Sequence, residues 1–256
     1  MKNWEEKLNS FLSGFEHFGD VIGVLVCGSY ITGNPTRHSD LDVHLILKDS
    51  VYYRERGNKV IDDLLIEYFA NPPRQIFRYF EDDFHERTLM SQTQFATGKI
   101  MLDKTGDLTI LKEKALEMID TFYKNERETP SMSDLTKYLL WDMLDDLQDA
   151  LETGKPDFDF LYFNSLSRMM AFYMQCINRP YNFKTIHGNV SDGTFRGRYL
   201  LRELPNATIR TLIAKSITTV NKSDRLVIYE SLTKKILDGF GGFNIDDFKL
   251  KSDVAA

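Results

Sequence analysis

Cysteine is nearly absent. The chain has 256 residues and two cysteines, Cys27 and Cys176. A disulfide framework or a cysteine-built zinc site is therefore not supported. Cys27 lies in an apolar run and Cys176 in an apolar helix, so both are expected to be buried thiols. A basic excess is also missing: 32 Lys and Arg stand against 38 Asp and Glu, a formal net charge of −6. Duplex binders draw most of their affinity from neutralising phosphates, so this balance points away from duplex nucleic acid. It favours a small or cationic partner and leaves room for a local basic groove. No segment approaches the roughly 18 apolar residues of a membrane span. Met1 to Gly14 is mixed and charged, with no apolar signal core. A cytoplasmic enzyme without a membrane partner is the expectation, and the oligomeric state stays open.

What remains is the composition of a globular protein, with 42% hydrophobic and 27% charged residues. The length suits one large domain or two modest ones at about 100–200 residues each. Helical spacing predicts a helix over Trp4 to Phe18, and Val21 to Cys27 reads as a buried strand ending at Gly28-Ser29. Tyr30 to Ser39 must turn, because it contains Gly33, Asn34 and Pro35. Leu41 to Leu47 alternates: Leu41, Val43, Leu45 and Leu47 share one side, and Asp40, Asp42, His44 and Ile46 the other. Tyr52 to Val60 reads as a connection with a helical start. Asp63 to Phe69 is the next strand, Gln75 to Phe84 a helix, Lys99 to Asp103 a short strand and Leu108 to Phe122 a helix.

After about Glu128 the strand signals fade. Ser131 and Ser133 are candidate N-caps for an amphipathic helix running to Leu151, which Gly154 and Pro156 close. Phe160 to Ile177 is apolar almost all round and reads as a central buried helix. Helices over Thr194 to Leu204, Ala207 to Val220 and Asp224 to Leu237 follow. The expected fold class is α+β: a catalytic domain over 1–128, with a small mixed sheet flanked by helices, then an all-α helical bundle over 129–256. No internal repeat or low-complexity segment occurs.

The chemistry concentrates in Val26-Cys27-Gly28-Ser29, a turning segment, and Asp40-Leu41-Asp42-Val43. Alternation puts the Asp40 and Asp42 side chains on one face, with α-carbons roughly 7 Å apart. Two carboxylates this close repel unless a cation lies between them. Magnesium prefers hard oxygen ligands and commonly takes one or two carboxylates plus substrate phosphates. Two such ions, roughly 4 Å apart, can steady both oxygens of a displacement. Gly28-Ser29 lets the backbone approach a phosphate closely, and amides at a following helix start favour an anion. Taken alone, Asp-x-Asp reads as an acidic strand edge facing water; the preceding Gly-Ser turn shifts the reading towards a metal and a triphosphate.

Gly28-Ser29, the segment Tyr30 to Ser39 and Asp40-Leu41-Asp42-Val43 resemble the signature of the DNA polymerase β-like nucleotidyltransferase superfamily. Arg37-His38-Ser39-Asp40-Leu41-Asp42 is similar to its small-molecule branch, which includes aminoglycoside and lincosamide nucleotidyltransferases. The clear resemblance covers roughly Val21 to Asn71. It implies a third carboxylate on a later strand, for which Asp62, Asp63 and Glu67 compete. Glu67 is preferred, because an ionised group inside Leu64-Leu65-Ile66-Glu67-Tyr68-Phe69 is costly unless paired or metal-bound.

The resemblance further implies a magnesium-dependent transfer of a nucleoside monophosphate, by family analogy AMP from ATP, to a hydroxyl of a small molecule, with an aminoglycoside-type antibiotic as the candidate, and release of pyrophosphate. Asp40, Asp42 and Glu67 would be catalytic and hold the metal, while Gly28, Ser29, Arg37 and Ser39 would hold the triphosphate. Arg37 reads equally as a solvated loop residue. Lys184 is the candidate for a basic residue from the helical part reaching the phosphates, against a plain surface lysine. His44 is read as a satisfied strand histidine rather than a ligand. Asp142, Asp145, Asp146 and Asp149 share a helix face, read as solvated, with a cationic-substrate surface as the sharper alternative. The aromatic run Tyr162, Phe163, Phe172 and Tyr173 reads as core. Competing classes are a nucleotide-binding regulatory or antitoxin-like module without turnover, a transferase acting on a protein or RNA end, and a purely structural helical protein.

Overall fold

The computed structural model describes residues 4–124, 131–246 and 248–251. The chain divides into two compact units, Met1–Lys124 with Arg198–Leu200, and Asn125–Gly197 with Leu201–Ala256. The expected boundary after Glu128 lies outside the described residues. The fold class is the mixed α+β arrangement expected, a five-stranded sheet with helices followed by a run of helices.

The first unit opens with α1 (Trp4–Ser13), which ends earlier than its apolar spacing suggests; a single 3-10 turn at Phe18–Asp20 leads into the sheet. The strands are β1 (Val21–Cys27), β2 (Leu41–Leu47), β3 (Glu55–Ile61), β4 (Leu64–Asn71) and β5 (Lys99–Asp103). Their order across the sheet is β3-β4-β2-β1-β5. The β2–β4 pair is parallel, and the other three pairs are antiparallel.

Side-chain alternation divides the apolar residues between two layers. Leu8 and Phe11 of α1 pack with Val24, Val26, Leu41, Val43, Leu45 and Ile66. Leu25, Cys27 and Ile46 point the other way, towards α3 (Pro73–His85), α4 (Met90–Thr97) and α5 (Asp107–Lys124). Since both faces of β2 are covered, its alternation separates two cores rather than a core from solvent.

One local expectation in this unit is corrected, and one helix is new. Residues 55–61 form a strand, not a connection with a helical start. As an edge strand β3 is polar on both faces, so no period-2 hydrophobic signal survives in its sequence. It pairs in a hairpin with β4, turned by Asp62 and Asp63, whose φ values are +43° and +66°. Gly57 leaves room in β3 for the Tyr68 ring, since a Cβ there would lie 2.5 Å from the Tyr68 hydroxyl. Helix α4 gave no sequence signal: it is mostly polar and buries Gln92, whose amide donates to the Phe80 carbonyl.

The second unit contains α6 (Asp134–Glu152), α7 (Phe158–Cys176), α8 (Ile186–Ser191), α9 (Gly193–Arg198), α10 (Ala207–Thr218) and α11 (Lys222–Gly239). Ser133 caps α6, its hydroxyl accepting from the Thr136 amide at 3.1 Å. One core joins Leu140, Leu147, Tyr162, Met169, Ile213 and Tyr229. Helix α7 is not buried all round: Phe160 is 74% and Phe163 44% exposed, the latter under the Arg225 guanidinium. Tyr162 and Tyr173 are core as expected, and Phe172 only partly so. Cys27 is buried, whereas Cys176, at the C-terminal end of α7, is half-buried, contrary to expectation. The helix expected over Thr194 to Leu204 stops at Arg198, with Leu200 at a φ of +54°. Helix α8 was not anticipated. No helix among the described residues is long and apolar enough to cross a membrane.

Candidate active site

The site is set by strand register. In the antiparallel β1–β2 pair Cys27 faces Asp42, and in the parallel β2–β4 pair Asp42 faces Glu67. Cross-strand partners lie side by side on one face of a sheet. Asp42 is thus flanked by Cys27 and Glu67, with Asp40 two residues back, just before β2 begins. Asp40, Asp42 and Glu67, all half-buried, each offer an oxygen, and the three oxygens lie within 4.8 Å of one another. Asp63 is excluded from this group by its place in the hairpin turn, and Asp62 shares that turn.

At the end of β1, Gly28 adopts φ +73° and ψ −160°, a conformation essentially reserved for glycine. A Cβ built there would lie 2.1 Å from Asp42 Oδ2. The backbone of Gly28-Ser29 therefore passes directly against the carboxylate cluster. Helix α2 (Ser29–Thr32) is a single turn, with the Ile31 and Thr32 amides donating to the Gly28 carbonyl and Gly33 closing it at φ +88°.

The electrostatics describe a site short of positive charge. Burial, then Asp40, then Glu67, raise the Asp42 carboxyl from 3.8 to about 7. Burial, with Asp42 and Asp40 adding to it, pushes the Cys27 thiol well above its ordinary value. A proton on Asp42 is one way to relieve the repulsion. A divalent cation is another, and three hard oxygen donors this close suit magnesium better than a softer metal.

Other expected residues are placed differently. Ser39 accepts the Thr36 amide at 2.9 Å, and Arg37 Nε donates to His38 Nε2 at 2.9 Å. Both line a cavity of about 340 Å³ with Trp4, Lys7, Tyr30 and Asp63, a lining that includes none of the three carboxylates. Lys184 belongs to the second unit, exposed on the connection after α7, with its amide donating to Asn182 Oδ1. His44 shares the carboxylate face but is buried between Phe69 and Phe95, ring centroids 5.3 and 4.7 Å away. Burial lowers its pKa to about 4, and a hydrogen bond with Gln94 opposes this. The expected strand histidine is present, yet not fully satisfied, since Nε2 has no partner.

On α6, Asp142 is half-buried and accepts from Tyr138, Asp149 pairs with Lys155 at 2.5 Å, and Asp145 and Asp146 are exposed. Sequence reasoning missed Arg56, which meets Glu67 at 2.6 Å. Reading residues 55–61 as a strand would have exposed it, because Arg56 then pairs with Phe69, two residues beyond Glu67 on the same face.

Residues 8–96 match the family described as nucleotidyltransferase domain. The matched segment holds β1 to β4 with Asp40, Asp42 and Glu67, and it supports a nucleotidyltransferase, an enzyme class that transfers nucleoside monophosphates. A crystal structure of a nucleotidyltransferase-like protein from Exiguobacterium sibiricum 255-15 is similar at 12% identity, over 93% of this chain and 77% of that one, with a TM-score of 0.42. No curated protein matches the chain.

Proposed function

We propose that this protein transfers AMP from ATP to a hydroxyl of a small molecule in a magnesium-dependent reaction. The observation carrying the proposal is the meeting of the Asp40, Asp42 and Glu67 oxygens within 4.8 Å beside the glycine-only turn at Gly28. Asp40 and Asp42 would hold the cation from β2 and its approach, and Glu67 would close the set from β4. Bound there, magnesium supplies charge neutralisation at the phosphates and lowers the pKa of the attacking hydroxyl. Gly28 and Ser29 offer backbone and hydroxyl donors to the triphosphate. Arg37, Ser39 and Lys184 are assigned to the phosphates on the strength of the resemblance.

The acceptor oxygen forms a bond to the α-phosphorus, and the bond from that phosphorus to the oxygen bridging to the β-phosphate breaks. Pyrophosphate leaves with the electron pair. In this reading Glu67 takes the hydroxyl proton. Little covalent work falls to the protein, so positioning and charge stabilisation carry the rate. The similarity of Arg37 to Asp42 to the small-molecule branch supports an acceptor of aminoglycoside or lincosamide type.

The test is incubation with α-labelled ATP, magnesium and a panel of aminoglycosides and lincosamides. Label on an acceptor with stoichiometric pyrophosphate, lost in Asp42→Asn, is the expected result. ATP bound without turnover against any acceptor, and equally by Asp42→Asn, would instead identify a regulatory module.

A further inference from the structure

Arg56 lies on β3, an edge strand of the sheet, on the face that carries Glu67. Its Nε and Nη2 both donate to a single oxygen, Glu67 Oε1, at 3.2 and 2.6 Å. The guanidinium also lies over the Phe69 ring, 4.9 Å from the centroid. Exposed ion pairs usually contribute little, because two long side chains must be ordered in water. This one is built differently. Arg56 is 70% exposed, but the Glu67 side chain is only 20% exposed and starts from a strand paired on both sides. The ring limits where the guanidinium can go, and the forked donors fix one carboxylate oxygen, leaving the other outside the pair.

We propose that Arg56 is the positioning residue of the carboxylate cluster: it fixes Glu67 by Oε1 and presents Oε2 to the cation and the acceptor hydroxyl. This rests on the reading of Glu67 as third carboxylate. The same contact lowers the local charge from three negatives to two, so Arg56 both orders the site and competes with the metal it serves. Those effects have opposite signs on two measurable quantities. A merely structural ion pair would move neither, or would move both together through loss of folding.

The experiment uses the full chain and the variants Arg56→Ala and Arg56→Lys. Mn²⁺ binding is measured by paramagnetic resonance without nucleotide, and transfer kinetics are measured separately. Removing a unit positive charge close to the ion is expected to tighten Mn²⁺ binding about three- to tenfold in Arg56→Ala. Losing the fixed carboxylate is expected to lower kcat by about 10- to 100-fold, with KM for ATP within about twofold. Arg56→Lys keeps the charge and loses the fork, so its Mn²⁺ affinity should match the parent while its kcat falls between the two. Unchanged affinity and kcat in Arg56→Ala would overturn the assignment, as would weaker Mn²⁺ binding together with lower kcat. Should the parent transfer nucleotide to no acceptor, the catalytic reading fails, and the Mn²⁺ shift still decides the role of Arg56.

Discussion

Asp42 Oδ2 occupies the space that a side chain on Gly28 would need, 2.1 Å from where its Cβ would stand. The glycine is thus demanded twice, by its backbone conformation and by the carboxylate. Gly28→Ala is expected to cost about 1–3 kcal/mol in denaturant unfolding and to reduce transfer at least about 100-fold by displacing Asp42. Gly33→Ala is the control: φ is +88° but nothing lies within 4 Å of the new methyl. It should cost about 1 kcal/mol and leave turnover within a few-fold. Equal losses of activity in the two variants would separate Gly28 from the site.

The hairpin turn and the strand after it give Asp63 and Glu67 different fates. Glu67→Gln keeps the shape and removes both the charge and the proton acceptor, and should lower kcat by about 10²–10⁴. Asp63→Asn, in a turn with positive φ that asparagine also tolerates, should leave kcat within about twofold. The reverse ranking, measured at saturating ATP and acceptor, would move the third carboxylate to the turn.

Legibility in the sequence followed the hydrophobic signal. Val21 to Cys27 and Leu41 to Leu47 could be read because their apolar residues are dense and bounded by glycine or polar turns. Asp40 and Asp42 could be placed on one face because alternation alone decides it, and Glu67 stood out because a charge inside an apolar run needs a reason. Residues 55–61 could not be read: an edge strand is polar on both sides, and its partner lies in β4, not in its own pattern. Arg56 was hidden with it. Helix α4 was invisible because its stability comes from Phe95 and Gln92 packing into a tertiary core, not from an amphipathic stripe. Register, the relation that brings Asp42 level with Glu67, is a property of paired strands that no single segment contains.

In the second unit, fully buried Tyr162 donates to the Ser216 carbonyl at 2.9 Å. Helix α10 ends at Thr218, so that carbonyl is among the last four, which lack a partner within the helix. Tyr162→Phe leaves it unsatisfied and is expected to cost about 1–3 kcal/mol of stability. Chemical denaturation measures this directly; a cost below a few tenths would show that another donor satisfies Ser216.

Asp42 and His44, neighbours on one face of β2, make opposite demands on pH in the metal-free protein. The Asp42 carboxyl is raised from 3.8 to about 7, so between those values the folded chain holds a proton that the unfolded chain has released. Its contribution to stability is present at low pH and is lost as pH rises through that window. The His44 ring is lowered from 6.5 to about 4, so there the unfolded chain holds the extra proton. Its contribution is present at neutral pH and is lost as pH falls from about 6.5 towards 4. The two largely offset each other in the parent. Relative to the parent with metal chelated, Asp42→Asn should make Tm climb more steeply from pH 4 to 7, and His44→Gln should make it fall. Saturating magnesium should act on the parent as Asp42→Asn does, because the ion takes the place of the proton, and it should also raise Tm by mass action. Melting curves at several pH values, with chelator and with magnesium, measure all three slopes. Identical slopes in parent and variants would mean that neither side chain titrates as its surroundings require.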